Sequence, residues 1–171
     1  DKDTSGVMIL AKNKEAFIYL QKQFQIRTIK KQYLALVHGR VEPKNGTINM
    51  PIDRDPKDRK KFTIRLGGRL SSTFYKRTAI YVSKKYDDQF FSLLELEPKT
   101  GRTHQLRVHL KHIGFTIVAD PIYLPYKKLL EDKRWCTRLF LHSHSISFFH
   151  PVTKKWLTFM VPLPKNLNFK K

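Results

Sequence analysis

The chain has 171 residues, in which 34 Lys and Arg stand against 14 Asp and Glu, so its formal net charge at pH 7 is +20. The hydrophobic fraction of 40%, with 12 Phe and 7 Tyr, excludes a disordered basic tail and predicts one domain over residues 1–171. The single cysteine, Cys136, excludes an internal disulfide and fits a reducing compartment such as the cytoplasm, and no apolar run reaches the roughly 18 residues of a membrane span.

The first third of the chain predicts two strands and a helix. Residues 7–10 (VMIL) form a short apolar run typical of a buried strand. Asn13 is a suitable N-cap for a helix that follows, because apolar side chains recur at i, i+3 and i+7. They are Phe17, Leu20 and Phe24. Residues 32–38 predict a second strand, whose alternate side chains point to opposite faces of a sheet.

Residues 42–73 differ in composition from the rest, because proline and glycine interrupt every apolar pattern. Between residues 54 and 69 this segment carries seven basic residues and only two Asp. It predicts an exposed basic loop or hairpin inserted within the domain. A basic, aromatic-rich domain attracts polyanions, of which nucleic acid is the usual one, although a solvated surface without a partner explains the charge equally simply.

Strand patterns return in the second half, at residues 74–82, 90–96, 139–149 and 156–161, which are rich in aromatic and β-branched residues. Residues 103–113 carry apolar side chains at helical spacing, and Gly114 stands where a helix commonly ends. Strands that do not alternate strictly with helices predict an α+β fold with a mixed, largely antiparallel sheet and flanking helices.

Three places concentrate polar residues beside rigid elements: residues 1–6, Tyr33 on its strand, and residues 100–107. Arg107 lies within the first turns of an apolar helix, where burial of an unpaired guanidinium is costly. We therefore expect an anionic partner, and Asp1 or Asp3 is the candidate. A bound phosphate or an exposed position for Arg107 are the alternatives.

These same residues stand in motifs that resemble one known family. The segment 1–7 (DKDTSGV) is similar to the second half of the HRLD-x-x-TSG motif of RluA-type pseudouridine synthases. Three further matches follow in the same order as in that family. They are KQYLA at 31–35, TGRTHQLRVHL at 100–110 with DPIY at 120–123, and LH at 141–142 with HP at 150–151. The resemblance covers nearly the whole chain.

The resemblance implies the fold of a pseudouridine synthase catalytic domain and the isomerisation of uridine to pseudouridine in RNA, without cofactor or metal. It assigns Asp1 as the catalytic aspartate, Tyr33 as the active-site tyrosine and Arg107 as the arginine that pairs with the aspartate. It places Leu141 in the uracil pocket. Arg102 and His104 are expected to bind substrate because they lie in the same motif as Arg107.

The expected chemistry requires an ionised aspartate, which is suited to act as a nucleophile at the sugar C1′ or the base, or as a proton acceptor. Tyr33 is expected to stack on the uracil. The target nucleotide must leave its stack, and basic side chains of the 54–69 segment are expected to clamp the flanking phosphates. These are Arg54, Lys57, Arg59, Lys60 and Lys61. The expected RNA is ribosomal rather than transfer RNA, and the expected oligomeric state is a monomer.

The chain also departs from the family pattern. The His, Arg and Leu that precede the aspartate in the motif are absent, so the resemblance implies the C-terminal part of a catalytic domain. Ala119 replaces a usual glycine and Ser143 a usual alanine, and both changes are expected to be tolerated. Two other interpretations compete. One is a non-catalytic module that binds RNA or assists ribosome assembly. The other is a zinc site at His109 and His112, which lacks supporting acidic or cysteine ligands.

Overall fold

The computed structural model describes residues 1–83 and 89–167. The elements follow in chain order as β1 (Ser5–Gly6), α1 (Lys14–Gln25), β2 (Lys30–His38), β3 (Asn45–Asn49), β4 (Ile52–Arg54), β5 (Phe62–Ile64), β6 (Ser72–Ser83), β7 (Gln89–Pro98), α2 (Gln105–His112), α3 (Tyr126–Lys133), β8 (Leu141–Phe149) and β9 (Trp156–Met160). A single 3-10 turn follows at Lys165–Leu167. No helix within the described ranges is long and apolar enough to cross a membrane.

Most strands of the described chain join one sheet in the order β1-β8-β2-β7-β6-β3, and β9 pairs with residues 145–149 of β8 on the same side as β1. Its pairs are antiparallel except β1 with β8, which is parallel. Strands β4 and β5 form a separate antiparallel hairpin. The predicted α+β class with a largely antiparallel sheet is therefore confirmed.

The central strand β2 explains where the core lies. It pairs with β7 on one side and β8 on the other, so its apolar run is buried at Ala35, Leu36 and Val37. Helix α2 packs against this region, and its Leu106 and Leu110 belong to the same core. A strand with neighbours on both sides and covered faces is expected to be apolar throughout, as the 32–38 pattern indicated.

Helix α2 confirms the helix predicted at 103–113, with a later start and a defined end. His104 adopts a left-handed conformation (φ 57°), so the helix begins after it. At the other end, the N–H of Gly114 donates to the carbonyl of Lys111, and the N–H of Phe115 donates to that of Leu110. Gly114 has φ 91°, which a glycine adopts without strain. This pair of bonds is a Schellman motif, which satisfies carbonyls that the helix leaves unpaired.

Helix α1 confirms the predicted N-cap, because the N–H of Ala16 donates to Asn13 Oδ1 at 2.9 Å. The predicted apolar face is wrong in part, since Leu20 is buried while Phe17 and Phe24 are exposed. A polar residue completes the contact instead. The side-chain amide of Gln23 is buried and hydrogen-bonds both backbone groups of Phe149, at 2.9 and 2.8 Å.

The strand predicted at 7–10 is also wrong. The only strand at this end of the described chain is β1, and the ladder stops after the N–H of Val7 donates to the carbonyl of Ser143. Met8 and Leu10 are 75% and 77% exposed, while Val7 and Ile9 pack against the small cluster around Leu20. An apolar run signals burial, but it does not supply a hydrogen-bonding neighbour, and none pairs with residues 8–10 in the described ranges.

No pattern in the sequence predicts α3, which is short and charged. It is held by Asp132, whose Oδ2 accepts hydrogen bonds from His38 Nε2 at 2.9 Å and from the N–H of Ala119 at 2.7 Å. Both contacts come from residues distant in sequence. Within residues 42–73, β3 joins the main sheet beside β6, and β4 and β5 form the hairpin that carries the basic residues.

Candidate active site

Asp1 is held beside the sheet by the residues that follow it. Gly6 lies against β8 with φ 116°, and a Cβ there would lie 2.1 Å from the carbonyl oxygen of Ser143, so only glycine fits. Arg138 Nη2 also donates to the carbonyl of Asp3 at 3.1 Å. These contacts fix the segment, and the Asp1 side chain is only 19% exposed.

Arg107 lies beneath Asp1 and is buried in an ion pair. Its Nε and Nη2 donate to the two carboxylate oxygens of Asp120 at 2.9 and 2.7 Å, and both side chains are 1% exposed. Its Nη1 reaches Asp1 Oδ2 at 3.5 Å. The expected pairing of Arg107 with Asp1 therefore exists but is the weaker contact. Neither Asp1 nor Asp3 is the main partner. That partner is Asp120, which follows α2 in the sequence and is brought to Arg107 by the fold.

Tyr33 lies on β2 opposite Ser143 of β8, next to the irregularity in strand register between Gln32 and Tyr33. The extra residue of this bulge is His144 of β8, so β2 keeps its regular alternation at Tyr33. Burial raises the pKa of the Tyr33 phenol, and a hydrogen bond with the Ser143 side chain opposes this effect. The phenol therefore stays neutral near pH 7, which suits contact with a base better than proton removal.

A cleft of about 210 Å³ brings together five of the eleven predicted side chains. They are Asp1, Tyr33, Leu141, Arg102 and His104. Arg107 does not line the cleft, because it lies behind Asp1. Of the three residues that the resemblance assigns to catalysis, Asp1 and Tyr33 line the cleft and Arg107 contacts Asp1 from behind, although the three span more than a hundred positions of the sequence.

His104 lines the cleft as a neutral ring. Its Nδ1 lies 2.8 Å from the Tyr123 hydroxyl, and its Nε2 lies 4.0 Å from Asp1 Oδ1. Burial, aided by the positive charge of Arg107, lowers the pKa of His104 from 6.5 to about 4. The ring therefore carries no charge at neutral pH, and it contributes shape and hydrogen bonding rather than a cation.

The loop that carries Arg102 is fixed by Gln105. Gln105 Oε1 accepts from Thr100 Oγ1 at 2.7 Å and from the N–H of Arg102 at 3.0 Å, while its Nε2 donates to the carbonyl of Ser72 at 2.9 Å. Sequence reasoning missed this role. It also missed Lys31, which lines the cleft and whose pKa is lowered by burial. The sequence contained a signal for Lys31, because Lys31 and Tyr33 are two residues apart on one strand and such residues share a face.

The basic hairpin docks beside this cleft through apolar contacts. Ile52 of β4 packs in one cluster with Val108 of α2 and Tyr123, and Phe62 of β5 packs against it. The Phe62 ring also meets the His104 ring edge-on at 5.7 Å. Four of the predicted RNA-binding side chains are exposed on or beside the loop that joins β4 and β5: Arg54, Lys57, Arg59 and Lys60. The fifth, Lys61, is half-buried and pairs with Asp58 at 3.4 Å.

His109 of α2 is engaged in hydrogen bonds within the domain. His109 is buried, with Nδ1 at 2.9 Å from Thr73 Oγ1 and Nε2 at 3.2 Å from the carbonyl of Met50. Across the part of the chain that the structure describes, no three His, Cys, Asp or Glu side chains are grouped to hold a metal ion.

Comparison with known proteins relates this geometry to one family. The model of the RNA pseudouridylate synthase family matches residues 1–112. An uncharacterized RNA pseudouridine synthase of Chloroflexus aurantiacus is 41% identical over 167 residues, which are 98% of this chain and 49% of that protein. The ribosomal large subunit pseudouridine synthase D of Xanthomonas campestris is 37% identical over 175 residues, covering 98% of this chain and 50% of that protein. The chain thus spans about half the length of these relatives.

Solved structures agree with the sequence comparison. The chain superposes on human RNA Pseudouridylate Synthase Domain Containing 1 with a TM-score of 0.83 and 28% identity, over 98% of this chain and 69% of that one. For human RNA Pseudouridylate Synthase Domain Containing 4 the TM-score is 0.73, with 26% identity, over 98% of this chain and 70% of that one. The chain therefore belongs to the RNA pseudouridylate synthase family, of the RluA type that its motifs indicated.

Proposed function

We propose that this protein isomerises uridine to pseudouridine in structured RNA, and that Asp1, Tyr33 and Arg107 carry the reaction. The N1–C1′ bond breaks and a C5–C1′ bond forms, while the proton on C5 leaves and N1 gains one. Atoms and electrons balance without a cofactor, metal or oxidant. The observation that supports this proposal most directly is the Asp1 carboxylate in a cleft shared with Tyr33, 3.5 Å from the buried guanidinium of Arg107.

In this proposal Asp1 acts as an ionised carboxylate, either as the nucleophile at C1′ or the base or as the acceptor of the first proton. Arg107 is a positioning residue. Its two bonds to Asp120 hold the guanidinium, and Nη1 remains directed toward Asp1. A fixed positive charge at that distance orients the carboxylate before substrate arrives.

Tyr33 and Leu141 form walls for the base. The cleft volume of about 210 Å³ is below the roughly 300–1,000 Å³ of pockets that enclose whole small ligands. A cleft of this size is suited to one flipped base. The neutral phenol ring of Tyr33 provides a stacking surface. In this proposal a freed uracil is retained between these side chains while it turns, which requires bound RNA to close the cleft against water.

The RNA is proposed to be held on both sides of the flipped nucleotide by basic residues. The hairpin carries four exposed cations, and its Phe62 meets His104 of the cleft. Phosphates that flank the target nucleotide can bind there. We favour ribosomal RNA over transfer RNA, since the Xanthomonas relative is named for the large ribosomal subunit, and we propose the cytoplasm as the place of action.

The test compares Asp1→Asn with Asp3→Asn in the full-length protein. Both variants remove one negative charge, but Asp3 does not line the cleft. We expect Asp1→Asn to abolish conversion in a pseudouridine mapping assay and to leave RNA affinity nearly unchanged, while Asp3→Asn converts like the parent. Equal conversion by Asp1→Asn and the parent would refute the assignment. The non-catalytic alternative would be favoured if the parent binds RNA but mapping in cells with and without the gene finds no pseudouridine that depends on it.

A further inference from the structure

A second, larger groove adjoins the cleft. It has a volume of about 1150 Å³ and lies between the end of α1, the first residues of β2, residues 97–102 and the strands β8 and β9. This volume exceeds the roughly 300–1,000 Å³ of small-molecule pockets, which indicates an extended ligand. Lys31 and Arg102 line both the groove and the cleft, so the two are continuous.

The charge of the groove is strongly positive. Its lining includes five cations, which are Arg27, Lys30, Lys31, Lys99 and Arg102, and one carboxylate, Glu97. Glu97 is already paired with Lys99 at 2.9 Å. Four cations therefore remain without an acidic neighbour in the lining, and this excess is complementary to a chain of phosphates.

Aromatic side chains line the same groove. Trp156 and Phe149 are each 40% exposed and meet edge-on with ring centroids 4.9 Å apart. Phe24 is also exposed on the α1 side, and Lys31 Nζ lies 5.9 Å from the centre of its ring. Exposed rings beside cations are the combination by which proteins bind single-stranded nucleic acid, since every base can stack on an aromatic face.

We propose that this groove binds a single-stranded RNA segment that continues from the nucleotide in the cleft. Bases stack on Trp156 and Phe149, and phosphates contact Arg27 and Lys30, while Lys31 lies at the junction with the cleft. The inference rests on the proposed function for the identity of the nucleotide in the cleft. The groove meets the cleft at Lys31, Pro98 and residues 100–102. The hairpin contacts the cleft at His104, so the proposed RNA has two separate sites of attachment.

The test uses labelled oligouridines of about 4 and about 12 nucleotides, lengths that span the usual site sizes of single-strand grooves. Arg27→Glu with Lys30→Glu reverses two exposed charges of the groove. The matched control, Lys127→Glu with Arg134→Glu, reverses two exposed charges near α3. That helix contacts His38, at the opposite end of β2 from Lys30.

The parent and the control are expected to bind the longer oligouridine more tightly than the shorter one, and the groove variant to lose this preference. Its slope of log affinity against log salt is expected to fall by about 1.4, from about 0.7 per lost phosphate contact on a single strand. Quenching of tryptophan fluorescence by the longer oligouridine should be reduced in Trp156→Phe. If the groove variant binds the two oligouridines with the same affinities as the control does, the inference is wrong. It is also wrong if another protein segment is found to occupy the groove.

Failure of this inference is distinguishable from failure of the proposed function. At saturating RNA, the groove variant is expected to convert uridine in a single turnover as fast as the parent, because none of its changes touches the cleft. Asp1→Asn is expected to show the reverse, with intact binding of the longer oligouridine and no conversion. A variant that loses binding of the longer oligouridine but keeps conversion tests the groove alone. A variant that loses conversion but keeps binding tests the cleft alone.

Discussion

The buried pair of Arg107 and Asp120 offers a sharp test of what holds the candidate site together. Asp120→Asn keeps the size of the side chain and leaves Oδ1 able to accept the N–H groups of Ile122 and Tyr123, at 2.9 and 3.0 Å. It removes the charge that balances a guanidinium whose side chain is 1% exposed. The change therefore isolates the ion pair from the turn that Asp120 also stabilises.

The magnitude follows from the geometry. Removing one partner of a buried ion pair costs about 3–5 kcal/mol, since the other charge is left without compensation. The Asp1 carboxylate remains 3.5 Å from Arg107 and offsets part of this cost. We therefore expect a loss of about 3 kcal/mol in the free energy of unfolding, or roughly 6–12 °C in melting temperature for a domain of this size.

Urea denaturation monitored by tryptophan fluorescence measures this loss, and the double variant Asp120→Asn with Arg107→Met provides the control. The double variant buries no charge, so it should be more stable than Asp120→Asn alone. Conversion by Asp120→Asn should also fall, because Arg107 is no longer held in place beside Asp1. A loss below about 1 kcal/mol, or a double variant as unstable as the two single changes added together, would refute this account of the pair.

Three further predictions concern the backbone, a titrating ring and the hairpin. Ala119 is buried with φ 55°, a conformation that costs a non-glycine residue about 1–2 kcal/mol, so Ala119→Gly should unfold at equal or higher urea concentration. His104 has a pKa of about 4 in the folded state and 6.5 ordinarily, so the unfolded chain binds a proton first as pH falls. Stability should therefore decline between pH 6.5 and 4, and less steeply in His104→Asn. Replacing Lys57 and Lys60 by Gln should weaken RNA binding and reduce its salt slope by about 1.4–1.8.

Each of these has its own control. Ala35→Gly removes a methyl group from an equally buried residue of β2, and it should destabilise where Ala119→Gly does not. Identical pH dependence of unfolding in the parent and His104→Asn would show that the ring is not protonated preferentially in the unfolded chain. Lys127→Gln with Arg134→Gln removes the same charge from two exposed residues outside the hairpin, and an equal salt slope in both pairs would mean that the hairpin makes no phosphate contacts.

Several features could be predicted from the sequence because their causes are local. The Asn13 cap, the end of α2 at Gly114 and the strand at 32–38 depend on residues that are near neighbours, and all three are confirmed. The errors share the opposite cause. Residues 7–10 have the composition of a strand, but pairing depends on a neighbour that lies elsewhere in the chain. Helix α3 is held by His38 and Ala119, which no local pattern connects to it.

The sequence by itself indicated a polyanionic class of partner, the α+β architecture and the residue types of the candidate site, since charge, periodicity and motif order are properties of a linear string. Only the tertiary structure decided which carboxylate neutralises Arg107, that Lys31 faces the same cleft as Tyr33, and that a basic aromatic groove continues from it. These are distances of a few ångströms between side chains far apart along the chain, and they exist only once the strands have paired in one register.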